Sequence, residues 1–346
     1  MAFTARGSVR TASLARALVA ALVAVSLAAA LGACGDDDDD DGPGASTTAT
    51  TTTGPAKTVS VDVAVIPITD LAPFHLGIKR GFFADEKLKV KPRPLPTGGA
   101  TPVAAVQSGD AQFAWTNTVS LIIARSKGLK LKFVTRGARG GTRPSRSGGS
   151  IMVKRDSPVK SLEDLEGKTI SVPALQSITT LTTSRALEKQ GVDPSKVKFV
   201  PVPFPQAIPA LESGRVDAAF VAEPFSTAGA RAGHRVISNP LVETSPNYIS
   251  GAFFATDRYI AENKNVVDRF ARAVHKSFDY AAAHPEAMRE VIPTFTEIPP
   301  KVARRISLPD FSAYTDTSSI TLAADLAKKY GYIKDKPNLS ELVYQP

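Results

Sequence analysis

The chain has 346 residues, 43% of them hydrophobic, with 42 Lys or Arg against 33 Asp or Glu and a net charge of +9. That length can bury the core of two domains or one large one, and a single cysteine excludes a fold held by internal disulfides. The positive balance favours anionic partners such as small ligands, wall polymers or lipid headgroups, and says nothing about fold.

The chain begins with Arg6, Arg10 and Arg16, no acid, and then an apolar stretch from Ala17 to Ala33 broken only by Ser26. A basic start, a hydrophobic middle and small residues before a cut form an export signal, expected over 1–33. The only cysteine, Cys34, precedes six aspartates at 36–41. Those carboxylates cannot be buried with it, and they oppose thiolate formation, so neither a core position nor a nucleophile suits Cys34. Leu31-Gly32-Ala33-Cys34 resembles the lipobox of bacterial lipoproteins, which implies lipidation at Cys34 and a membrane anchor made of acyl chains. The alternative is an uncleaved membrane helix, for which the apolar stretch is at the lower limit of length. The remainder of 34–56 is polar and charged, and reads as a disordered acidic and Thr-rich tether. Beyond it the basic surplus is larger, because the six aspartates no longer count.

From residue 58 onward, strand and helix signals alternate. "VSVDVAVIPI" starts with the period of a half-buried strand. "APFHLGIKRGFF" reads as a short helix stopped at Gly81, and "LKVKPRPLP" as a second strand closed by prolines. "TGGATPVAAVQSG" predicts a helix with Thr101 as N-cap, Pro102 in its first position and Gly109 at its end, followed by the buried strand "AQFAWTN". A second cycle follows the Arg/Gly/Ser stretch of 135–150: strands in "SIMVKRD" and "KTISVP", a helix from Ser177 ending at Gly191, a strand in "VKFVPV", a helix in "PQAIPALESG" and a strand in "VDAAFVAEP". Such alternation predicts parallel α/β sheets. "VQSGDAQFA" (106–114) and "LESGRVDAA" (211–219) hold the same place in the two cycles, which favours two equivalent lobes over one continuous sheet. The remainder is read as mainly helical. Val267, Phe270, Val274, Phe278 and Ala281 form the stripe of an amphipathic helix over 263–283, and another runs from about Ser318 to Tyr330, stopped by Gly331.

Motifs for covalent chemistry are weak. Gly167-Lys168-Thr169 has Leu162 where a phosphate-binding loop needs its first glycine, and Ser157 to Lys160 lacks the partner motifs of an S-x-x-K enzyme. His75, His234, His275 and His284 show no ligand spacing, so neither metal nor cofactor is expected. The tract "TRGARGGTRPSRSGG" carries no aromatic to stack a base, and is read as a solvated loop crossing between lobes, with no nucleic-acid partner. More telling are hydroxyl- and glycine-rich loops that open directly onto helices, at 67–74, 97–101, 115–120 and 176–180. At the carboxyl ends of parallel strands such loops line one crevice, where helix N-termini present free N–H groups. Taken singly, each Ser or Thr is as well explained as a helix cap.

"FHLGIKRGFFADEKLKVKPRP", "VAAVQSGDAQFAWTN", "SLEDLEGKTISVP" and "LESGRVDAAFVAEPF", in this order, resemble the solute-binding proteins of ABC importers that serve nitrate, sulfonates such as taurine, and pyrimidine precursors of thiamine. The resemblance implies an α/β type II periplasmic-binding-protein fold, two lobes closing on a ligand cleft. Lobe 1 would comprise 58–145 plus 246–346, and lobe 2 would comprise 146–245. It places the pocket at Asp70, Phe74 and His75; Gly98, Gly99 and Thr101; Trp115, Thr116 and Asn117; Gln176, Ser177 and Thr179; and Glu223, to which the receptor reading adds Phe225 and Tyr248. Trp115, Phe74, Phe225 and Tyr248 would supply flat walls, and Glu223 either accepts from a pyrimidine amino group or braces its own loop. His75 and the basic tract depart from the family's pattern. The implied partners are a small ligand and a permease with its cytoplasmic ATPase, the receptor acting as a monomer without cofactor or catalysis. The alternatives are a pyrimidine-synthase-like enzyme on the same fold and a wall-binding module.

Overall fold

The computed structural model describes residues 57–146, 148–309, 311 and 318–345. The expected signal, Cys34 and the tether lie outside the described residues. Five strands come first: β1 (Val59–Val65), β2 (Leu88–Pro94), β3 (Phe113–Asn117), β4 (Leu131–Phe133) and β5 (Ala138–Arg139). The next five form a second sheet: β6 (Gly149–Val153), β7 (Thr169–Val172), β8 (Lys198–Pro201), β9 (Ala218–Ala222) and β10 (Arg235–Ser238). β11 (Ile249–Thr256) then returns to the first sheet. The first sheet has the order β2-β1-β3-β11-β4 with β5 paired to β11, and the second has β10-β6-β9-β7-β8. The chain therefore builds two α/β lobes, as the two cycles in the sequence predict.

The expectation of parallel sheets holds for part of each sheet. β1 pairs in parallel with β2 and β3, and β7 with β8 and β9. Each sheet also takes an antiparallel strand at its crossing point: β11 lies against β3 and β4, and β6 against β9 and β10. The register gives the reason. Gly251 in β11 sits opposite Asn117 at the end of β3, and Gly149 in β6 sits opposite Ala222 at the end of β9. A chain crossing from one lobe enters the other where the parallel strands finish, so its first strand must run back against them. The reading of the last third as mainly helical missed β11, because Gly251 to Ala255 is buried on both faces and shows no period of two.

The helices fit the apolar stripes. The helix Lys264–Ala283 buries Val267, Phe270, Val274, Phe278 and Ala281, and the helix Ser318–Lys329 ends just before Gly331 at φ 70°. One cap is corrected: the helix Ala100–Gln107 starts with Gly99 as N-cap, two residues earlier than Thr101. Thr101 lies in its first turn, its hydroxyl 3.0 Å from that of Thr97. An aromatic cluster joins sheet to helix in the first lobe. Phe113 stacks on Phe270 at 3.9 Å and 3°, and Phe253 meets Phe270 edge-on at 5.4 Å. Such pairs add roughly 0.5–1.5 kcal/mol each beyond burial.

The helix Ala72–Lys79 crosses the helix Lys264–Ala283 at Gly77, where a Cβ would run into the side chain of Ser277. Gly77→Ala is expected to cost about 1–3 kcal/mol by overpacking, read as a lower urea midpoint with unchanged m-value; an unchanged midpoint would mean that the two helices part without cost.

Candidate functional site

The carboxyl ends of β1, β3, β7 and β9 converge on one cavity of about 70 Å³. At about 10–15 Å³ per water-sized position, that is room for a compact solute. The first lobe supplies Ile66, Ile68 and Asp70 after β1, Gly98 and Gly99 before the helix Ala100–Gln107, Trp115 to Asn117, and Arg139 with Ser250 from β5 and β11. The second lobe supplies Pro173 and Ala174, Ser177 to Thr179, Phe204, Phe220, Ala222 and Leu241. Most of this wall is apolar, so the few polar groups set the orientation of anything bound.

Several of those groups hold the two lobes together as well. Asn117 caps the helix Thr118–Ser126: its Oδ1 accepts from Ser120 N–H at 2.9 Å and, from the other lobe, from Ile178 N–H at 3.3 Å. Thr69 N–H donates across the cleft to the Glu223 carbonyl at 3.0 Å. Gly99 sits at φ 72°, ψ −127°, and a Cβ there would lie 2.8 Å from Ala174 Cβ. Only glycine adopts that backbone without strain and lets the lobes approach so closely. Thr116 fixes the same loop by donating from Oγ1 to the Gly99 carbonyl at 3.2 Å. Across the cleft, Ser177 begins the helix Ile178–Lys189: its N–H donates to Thr180 Oγ1 at 3.0 Å and its hydroxyl to the Ala174 carbonyl at 2.8 Å. Trp115, only 2% exposed, is backed edge-on by Phe253 at 5.2 Å.

Asp70 is the acid of the wall. It sits on the turn Thr69–Leu71, and its Oδ2 accepts from Ser250 Oγ at 2.6 Å. Burial pushes its pKa up to about 6, against the opposing pull of the Ser250 hydroxyl and its own N–H. Arg139 is also buried, although the sequence places it in a solvated tract. The correction is local: Thr135 and Ala138 to Gly141 are buried with β5, and Thr142 to Pro144 and Arg146 are exposed. Among the described residues, no group of three His, Cys, Asp or Glu side chains is placed to hold a metal.

Of the residues singled out by sequence, Asp70, Gly98, Gly99, Trp115, Thr116, Asn117, Ser177 and Thr179 come together in the wall. The others stand apart from it. Phe74 is fully buried behind the wall between Phe83 and Phe253, and His75 stacks on Phe295 at 4.0 Å, its pKa pushed down to about 4 by burial. Thr101 and Gln176 are exposed, the latter with φ 47°. Phe225 stacks behind Phe204 at 6.2 Å, and Tyr248 is fully buried, its phenol pushed up by burial. Glu223 braces its own loop: its carboxylate accepts from Thr227 N–H at 3.0 Å and from the Thr227 hydroxyl at 2.8 Å. Burial raises its pKa in spite of these bonds. Sequence reasoning missed Ile66, Ile68, Phe204, Phe220, Arg139 and Ser250. The apolar members read as core, and nothing near Ser250 marks it apart from the tyrosine two residues before it.

Asp70 makes stability depend on pH with a definite sign. Its folded pKa lies above its unfolded value of 3.8, so the folded state holds the proton longer and stability falls as pH rises from about 4 through 6. Asp70→Asn does not titrate. Its stability relative to the wild type is therefore expected to improve by up to ~3 kcal/mol between pH 4 and pH 7, measured by urea unfolding at both values. A difference that does not vary with pH would show that Asp70 is as well solvated folded as unfolded.

Comparison with known proteins agrees with this architecture. The riboflavin-binding protein RibY of Chloroflexus aurantiacus is 24% identical over 239 residues, 66% of this chain and 64% of that protein, so the chain spans just under two thirds of its length. The formylaminopyrimidine-binding protein of Halalkalibacterium halodurans is 25% identical over 242 residues, 69% of this chain and 70% of that one. Among solved structures, the alkanesulfonate-binding protein SsuA from Xanthomonas axonopodis pv. citri, bound to MOPS, superposes with a TM-score of 0.70 at 17% identity, covering 84% of this chain and 100% of that one. This fold is the periplasmic-binding-protein fold. Residues 68–288, well over half the chain, match the NMT1/THI5 like family, and the chain belongs to it.

Proposed function

We propose that the chain is the extracytoplasmic receptor of an ABC-type importer, which captures a compact solute between its lobes and delivers it to a permease driven by a cytoplasmic ATPase. The observation that carries this reading is the cleft: a small, largely apolar cavity at converging strand ends, bridged by Asn117 to Ile178 and Thr69 to Glu223. Bonds of this kind form only when the lobes meet, so they couple capture to closure. In this reading lobe 1 is 58–145 plus 246–346 and lobe 2 is 146–245, and the receptor acts as a monomer without covalent chemistry. The names of the relatives support a solute from the sulfonate, taurine, nitrate or thiamine-pyrimidine classes. Trp115, Phe204 and Phe220 supply aromatic surface for a flat or aliphatic body, and a cavity of about 70 Å³ suits one much smaller than a flavin. Cys34, lipidated after removal of 1–33, holds the receptor on the outer face of the membrane through the acidic tether.

Two measurements test this. A thermal-shift screen with sulfonates, taurine, nitrate and aminopyrimidines is expected to find one class that raises the melting temperature by roughly 5 °C at a hundredfold excess over Kd, with the gain lost in Trp115→Ala. Silence toward every class, combined with binding to wall polymer, would favour the wall-binding reading. Separately, Cys34→Ser is expected to move the protein of expressing cells from the membrane fraction to the soluble exported fraction. Retention on the membrane would favour an uncleaved helix.

A further inference from the structure

Asp70 is an unusual acid for a cleft meant to hold a simple oxyanion. It lines the cavity, is 6% exposed, and is bound at Oδ2 by Ser250 Oγ. Ser250 is thus the side chain that serves it across the sheet. The turn that carries it is pinned by Leu71 N–H, which donates to the Ile68 carbonyl at 3.1 Å, and on closure by Thr69 N–H, which donates to the Glu223 carbonyl. Ser250 is fixed in turn by β11, with its hydroxyl 3.1 Å from the Ala138 carbonyl. Once the lobes have closed, the carboxyl group is therefore held in the wall by the turn and by Ser250. Ile66, Ile68 and Trp115 keep bulk water from screening it. An oxyanion confined in so small a space meets a like charge within a few ångströms, where repulsion in a poorly solvated site is strong. A buried carboxylate served by one hydroxyl and its own backbone N–H still has lone pairs to spare, and an N–H from the solute would fill one.

We infer that Asp70 is the specificity-determining residue of the cleft: it accepts a hydrogen bond from an amine, amidine or ring N–H of the solute and rejects oxyanions that carry no such donor. The inference rests on the receptor reading and narrows its ligand class to aminoheterocycles and amine-bearing sulfonates.

The test is isothermal titration of the folded exported domain with four probes: an aminopyrimidine, taurine, ethanesulfonate and nitrate. Taurine and ethanesulfonate share a sulfonate and differ in the ammonium group, so their comparison isolates the donor. The wild type is expected to bind taurine or the aminopyrimidine, and ethanesulfonate and nitrate at least ~30-fold more weakly. Asp70→Ala is expected to lose the donor-bearing probe by a similar factor while binding ethanesulfonate no worse. Asp70→Asn, which keeps the shape and the Ser250 contact, guards against loss of fold, checked by thermal unfolding without ligand. Ethanesulfonate or nitrate binding as tightly as the donor-bearing probes, or an Asp70→Ala variant with unchanged affinity for them, overturns the inference and leaves the receptor intact. Silence of a folded wild type toward all four overturns the inference together with the receptor reading.

Discussion

The return of β11 into the first sheet is the constraint on which the rest of the molecule depends. After the chain has built its second lobe, Ile249–Thr256 runs back between β3 and β4. Three consequences follow from one strand. Phe253 lies behind Trp115 in the cleft wall; the same ring meets Phe270 of the helix Lys264–Ala283, closing the core there; and Ser250 arrives beside Asp70. Backbone pairing makes the register stiff, because a slip of one residue would exchange every inward side chain for its neighbour. The polar partner of the cleft's acid is therefore placed by main-chain hydrogen bonds formed elsewhere in the sheet.

The lobes meet through small residues and backbone groups. Gly99 against Ala174 allows an approach that any larger side chain on Gly99 would forbid, and Asn117 and Thr69 each link to main-chain atoms across the gap. Bonds to backbone have one geometry available and lose little entropy when they form, which suits a surface that opens and closes repeatedly. Arg272 with Glu86 and Lys196 with Glu166 are ion pairs away from the cleft, where exposure leaves them worth little.

Burial governs the acids and histidines packed deepest in the same way. Asp70 and Glu223 are pushed up, whereas His75 and His275 are pushed down to about 4. His275 is held neutral by burial first and by the nearby Arg136 second, and its Nε2 accepts the Arg136 N–H at 2.9 Å. The histidine that departs from the family's pattern, His75, is thus part of the packing between the first helix and Phe295.

Local pattern was enough to read much of this protein. The alternation of strand and helix, the repeated Ser-Gly turn before Phe113 and Ala218, the stripe through Phe270 and Phe278, and the glycine stops all depend on neighbours within a few residues, which the sequence lists directly. The polar half of the cleft was legible for the same reason, since Gly98, Gly99, Thr116, Asn117 and Ser177 sit at strand ends and helix starts. Tertiary structure alone decided the rest: the direction of β6 and β11, the turning of Phe74 and His75 into the core, the burial of Arg139, and the meeting of Asp70 with Ser250 across 180 residues of chain. These depend on where a strand re-enters a sheet and which face it covers, and an apolar residue at a strand end has the same composition whether it faces a core or a cavity.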